Sequence, residues 1–403
     1  MTITDHPATS PISHLTREDI EEIGRRLDAV RQEVLESRGA SDAAYIRKVI
    51  KTQRYLELGS RAILLGSLFP PAWIVGTAGS VSPRSWRAWR SGTTCCTASG
   101  TGCATRRSTR RPGSGTTPRP RRAGSTPTTR STTRTRTSSA RTTTSATGSC
   151  GSTTTSAGTM YLAQPLFNFI NMLVFEYGIA AYDLELGRNL KIPKEQRSEE
   201  FNENVRKTLA KMRTQALRDY VLHPLLSGPS FVPTFLANVT ANVVRNVWTH
   251  SVIMCGHFPE GVAAFEISEL PEEETRGDWY VRQMLGSANI SGGPLLHMMT
   301  GNLSFQIEHH LWPDLPSNRY AEVAPKVQAI FEEFALDYHS APLPQQVGSA
   351  WHKIVRLSLP NNWLATTTPK NLPSQLKLLY GMTRGSRAVR RRLQAKLDAA
   401  ATA

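Results

Sequence analysis

The chain has 403 residues, 39% hydrophobic and 20% charged, with a formal net charge of +16. That charge suggests a polyanionic partner only until it is located. Between Val81 and Thr159 there are 14 Arg and no Asp, Glu, Lys or His, leaving 34 basic and 32 acidic residues elsewhere, so a chain that is basic along its whole length is excluded.

The first residues, MTITDHPATS, lack the basic and then apolar profile of a signal peptide, and a reducing cytoplasmic side is expected. Residues 1–60 are predicted to form cytosolic helices. Thr16-Arg17-Glu18-Asp19 resembles a capping box, and Ile20, Ile23, Leu27, Val30 and Val34 follow at helical spacing. Ala62 to Gly79 turns apolar and gives a membrane helix over 61–80, short for a bilayer and interrupted by Pro70-Pro71.

Residues 81–159 are a different text. Ser, Thr and Arg fill 51 of its 79 positions, Leu, Ile, Phe and Met are absent, and Val81 is its single Val. Such a segment cannot bury a core and is expected to be disordered. It also holds Cys95, Cys96, Cys103 and Cys150, whose spacing fits no common zinc finger. Beyond it, Met160 to Tyr182 and Val221 to Phe258 are predicted to supply membrane helices over 160–260. Glu176 should then face protein or water rather than lipid. Residues 261–360 return to mixed helical sequence, and 361–403 end in a basic tail with Arg390-Arg391-Arg392.

The block has three readings: a flexible linker, an arginine-rich nucleic-acid arm, and a frameshift. In a frame slipped by one base, every written Thr (ACN) becomes His, Asn, Asp or Tyr, and written Arg becomes a mixture of other residues. With permitted wobble choices, Ser125 to Thr137, STPTTRSTTRTRT, reads HSHNEVHHTYTN. Ser91 to Arg110 likewise contains HNVLH. A His-x-x-x-His box and a His-x-x-x-His-His box thus emerge in order.

Those boxes, with GNLSFQIEHHLWPDLPSNRY from Gly301 to Tyr320, NVWTHSVIMCGHFPEG from Asn246 to Gly261 and ETRGDWYVRQMLGSANI from Glu274 to Ile290, resemble the membrane fatty-acid desaturase family, in particular its actinobacterial acyl-CoA type. The resemblance implies an all-α, multi-pass membrane helical bundle with a cytosolic helical cap, the active side cytoplasmic. It implies two non-haem iron ions, O2, and two electrons from a separate reductase or ferredoxin-type protein. An acyl-CoA or acyl-lipid would gain a cis double bond, or a hydroxyl group in a variant chemistry on the same scaffold, amid membrane lipids.

A helix from Gln306 to His310 sets Gln306 opposite His309 and His310, so three polar groups are expected to converge. Imidazole suits iron, and iron with oxygen supplies the oxidant that an unactivated methylene requires. By the resemblance, His309 and His310 are iron ligands, Gln306 is a weaker ligand or outer partner, His257 is a further ligand, and Asn302 holds a bound water. His250 and His297 are expected to be structural, and Asp314 and Arg319 to hold the helix after the box. His6, His14, His339 and His352 have no motif around them.

As written, no His occurs between His14 and His223, so the first two boxes are missing. The literal chain is expected not to assemble the metal centre. The alternatives are an inactive remnant membrane protein and an Arg-rich nucleic-acid-binding protein; nucleic acid is not the expected partner.

Overall fold

The computed structural model describes residues 12–97 (side chains to 86), 163–263, 274–359 and 371–384, with scattered positions between 363 and 399. Helix α1 is Arg17–Glu36. Thr16 Oγ1 accepts from the Asp19 amide at 3.2 Å, while the Asp19 carboxylate accepts from the Thr16 amide at 2.8 Å. This reciprocal cap satisfies amides that the helix leaves unpaired. Ile20, Ile23, Leu27 and Val34 are buried along one stripe.

Helix α2, Ala40–Leu64, turns at 65–69 into α3, Pro70–Thr97. The two run antiparallel, with Gly76 against Leu64 and Gly79 against Ser60. The expected disorder does not begin at Val81. Helix α3 continues through it, Arg84 and Trp86 are buried, and the Trp86 indole donates to the Met298 carbonyl at 3.0 Å. Small residues make this possible. Ser85 returns its hydroxyl to the Val81 carbonyl and fits the buried seam. The first decoded box falls on Gly92 to Thr97 at the end of α3, and the rest of the block, with the second box, Cys103 and Cys150, lies outside the described residues.

Helices α4 (Gln164–Leu173) and α5 (Phe175–Asp183) follow, broken at Val174, whose φ and ψ of −116° and 27° leave the helical region. Helix α6, Glu199–Ala216, is capped by Ser198 and passes through a π-helical turn at Leu217–Leu222. Helix α7 is Phe231–His257 and α8 is Arg276–Leu285. Strand β1 (Asn289–Ser291), helices α9 (Pro294–Met299), α10 (Gln306–Leu311) and α11 (Tyr320–Glu333), strand β2 (Ser340–Pro342) and helices α12 (Leu343–Ser358) and α13 (Leu372–Arg384) complete the described chain. Strands β1 and β2 pair in parallel, Asn289 opposite Ser340.

The multi-pass membrane bundle is not what these helices form: among the described residues no helix is long and apolar enough to cross a membrane. The reasons are local. A turn at 65–69 divides the first expected span, and Val174 divides the second. Helix α7 has the length, but buries Asn238, Asn242, Arg245, Asn246 and His250.

The main core joins α1, α8, α10 and α11 through Ile23, Leu27, Tyr280, Leu311, Trp312 and Phe331. Each such large apolar side chain contributes about 1.5–3 kcal/mol of burial free energy. Polar links fix the same unit: Trp312 Nε1 donates to the Tyr280 hydroxyl at 3.1 Å, and that hydroxyl donates to Asp28 at 2.6 Å. Arg319 reaches Asp42 at 2.8 Å, holding the Asp42 carboxyl down to about 2, and Arg31 binds Asp314. The chain after the box is thereby tied to α1 and α2.

Candidate metal site at the third histidine box

Two elements deliver the site: the C-terminal end of α7 carries His257, and the short helix α10 carries Gln306, His309 and His310. They approach closely because residue 256 is glycine. A Cβ there would lie 2.7 Å from Gln306 Cγ, inside van der Waals contact.

The Gln306 amide nitrogen donates to His310 Nε2 at 3.0 Å and lies 3.3 Å from His257 Nε2. The two imidazole rings stand edge to face with centroids 4.9 Å apart. Two Nε2 atoms are therefore aimed at one point, held by a neutral amide. Gln306 and His310 are buried and His257 is half-buried.

His309 does not join that convergence. Successive helical residues diverge by about 100°, and its Nδ1 lies 3.3 Å from the Tyr320 hydroxyl. Asn302 also stands apart. It sits at φ +64° beside Gly301 at φ +63°, in a left-handed turn before α10, and its amide donates to the Tyr45 hydroxyl of α2 at 3.2 Å. His297 bonds Ser304 at 2.7 Å and stacks on Phe305, and His250 bonds Asn168 at 3.1 Å.

Behind the box lies a buried polar layer that the motif does not announce. Asn289 Oδ1 accepts the Ile307 amide at 2.8 Å, at the start of α10. Its amide nitrogen donates to Glu308 Oε2 at 2.9 Å, and the Tyr338 hydroxyl donates to Glu308 Oε1 at 2.6 Å. Burial raises the Glu308 pKa despite these two donors, and burial and the nearby carboxylate raise that of Tyr338. Glu308 lies inside the QIEHH motif and Asn289 in the GSANI stretch. Both were visible in the sequence, but nothing in it pairs them.

The donors fit part of one ion's coordination shell and not a two-iron centre. Among the described residues no group of three or more His, Cys, Asp or Glu could hold a metal ion.

Residues 148–342 match the family model for fatty acid desaturase. The chain is 35% identical over 382 residues to an NADPH-dependent stearoyl-CoA 9-desaturase of Mycobacterium tuberculosis, in two strains alike, covering 90% of this chain and 85% of the relative. It is 32% identical over 136 residues to an acyl-lipid 8-desaturase of Rebecca salina, 34% of this chain and 30% of the relative. No solved structure matches it. A likeness running through nine-tenths of the chain, with the QIEHH helix and His257 inside the matched region, makes this protein a member of the fatty acid desaturase family of oxidoreductases.

Proposed function

We propose that this chain is an acyl desaturase scaffold of the two-iron type that, as written, does not complete its metal centre. The observation that carries the reading is the Gln306 amide held between His257 Nε2 and His310 Nε2. In this reading His257, Gln306, His309 and His310 belong to the iron ligand set, and Asn302 holds a bound water. Held there, two iron ions with O2 and two electrons would supply the oxidant that an unactivated methylene requires.

The name of the mycobacterial relative supports a saturated acyl-CoA substrate, a double bond at the 9 position and NADPH as the electron source; in this reading a separate reductase or ferredoxin-type protein carries the electrons. A site supplied by NADPH would face the cytoplasm.

The described donors fall short of that centre, so no chemical step is assigned to this chain. The shortfall is attributed to a one-base slip within 81–159. The family match begins at residue 148, after most of that block. If the slip is real, the gene encodes a desaturase and the literal chain is an inactive remnant of it.

Two measurements test this. The source DNA read in the neighbouring frame across residues 81 to 159 should spell both missing boxes without a stop codon. The frame-restored chain should then bind iron and form oleoyl-type product, and the literal chain should do neither. Stop codons in that frame would end the slip hypothesis, and product from the literal chain would overturn its inactivity.

A further inference from the structure

Helix α13 lies outside the site and outside the family match, which ends at 342. Leu372, Leu376 and Tyr380 follow one another at four-residue steps and are 39%, 49% and 60% exposed. Each step turns the helix by about 40°, so the three form one stripe. A helix buried against its own protein turns such a stripe inward; here it faces out. Lys377 adjoins the stripe, and Arg384 follows Tyr380 at the same step.

The charge around this helix is one-sided. From Tyr338 to Leu397 there are ten Lys or Arg and no Asp or Glu. Arg384, Arg387, Arg390, Arg391, Arg392 and Lys396 come at the end of α13 or just after it. A partner must therefore offer negative charge to the basic run and an apolar phase to the stripe. An anionic bilayer surface offers both at one boundary. At 13 residues the helix is about 20 Å long, too short to cross a bilayer but suited to lying in its surface.

We propose that α13 is an interfacial helix that docks on an anionic lipid surface, with Leu372, Leu376 and Tyr380 inserted and Lys377, Arg384 and the basic residues of the sequence that follows at the phosphates. The docking does not depend on the desaturase reading.

Flotation of the full chain with phosphatidylcholine vesicles, with and without phosphatidylglycerol, tests it. Apolar surface elsewhere contributes to both, so the quantity read is the increase that phosphatidylglycerol adds. That increase should be roughly tenfold at low salt and shrink at high salt. Leu372→Ser, Leu376→Ser and Tyr380→Ser together should abolish it without changing the helical circular dichroism. A separate Lys377→Gln, Arg384→Gln chain should reduce it. No increase with phosphatidylglycerol, or an increase that the triple serine chain retains in full, would overturn the proposal.

Discussion

Gly277 of α8 and Ile20 of α1 meet backbone to backbone: a Cβ on Gly277 would collide with the Ile20 carbonyl oxygen, and one on Gly24 would lie 3.1 Å from Gly277 Cα. The close approach of the two helices here brings Asp28 within reach of Tyr280. Gly277→Ala should force the helices apart and destabilise the chain by about 2–4 kcal/mol. The midpoint of urea denaturation would report it. An unchanged midpoint would mean that the crossing is looser than described.

His250 makes stability depend on pH. It is buried in α7, and burial pushes its pKa from 6.5 down to about 4. Between those values the unfolded chain binds more protons than the folded one. The stability is therefore complete above pH 6.5 and is lost as pH falls through about 4. The loss should be on the order of 3 kcal/mol. Denaturation curves across that range should show the slope, and His250→Gln should flatten it.

What the sequence made legible is what it encodes locally. The Thr16 cap and the Ile20, Ile23, Leu27 and Val34 stripe needed only neighbouring residues, and the QIEHH motif announced its helix. What stayed hidden depends on partners far along the chain. Gly24 meeting Gly277, and Asn289 meeting Glu308, leave no periodic trace. The membrane expectation rested on mean apolarity, which does not register the break at Val174 or the buried polar face of α7. The continuation of α3 past Val81 was hidden because composition does not reveal that Trp86 finds a pocket beside Val252, Cys255 and Leu303.

The amide between two imidazoles can be replaced by a third ring. Gln306→His would set three imidazoles around one point, a donor set suited to zinc. Zinc should bind this variant at least roughly tenfold more tightly than the unaltered chain by isothermal titration. His310→Ala in the same background should remove the gain. Equal affinity in all three chains would show that His257 and His310 do not converge in solution.

The Asn289 layer behind α10 should act as a coupled unit. Asn289→Ala strips the Ile307 amide of its acceptor and Glu308 of one donor, leaving buried polar groups unpaired, at a cost of about 2–4 kcal/mol. Glu308→Gln removes the buried charge but keeps a polar group of the same shape beside the Tyr338 hydroxyl, so it should cost about 1 kcal/mol or less. The cost of Asn289→Ala comes partly from a carboxylate left under-satisfied. Adding Glu308→Gln should therefore recover part of it, and the double variant should be more stable than the sum of the single changes predicts. Urea denaturation of the four chains gives the coupling directly. Strict additivity would mean that Asn289 serves only the Ile307 amide, and that Tyr338 alone holds the carboxylate inside the histidine box.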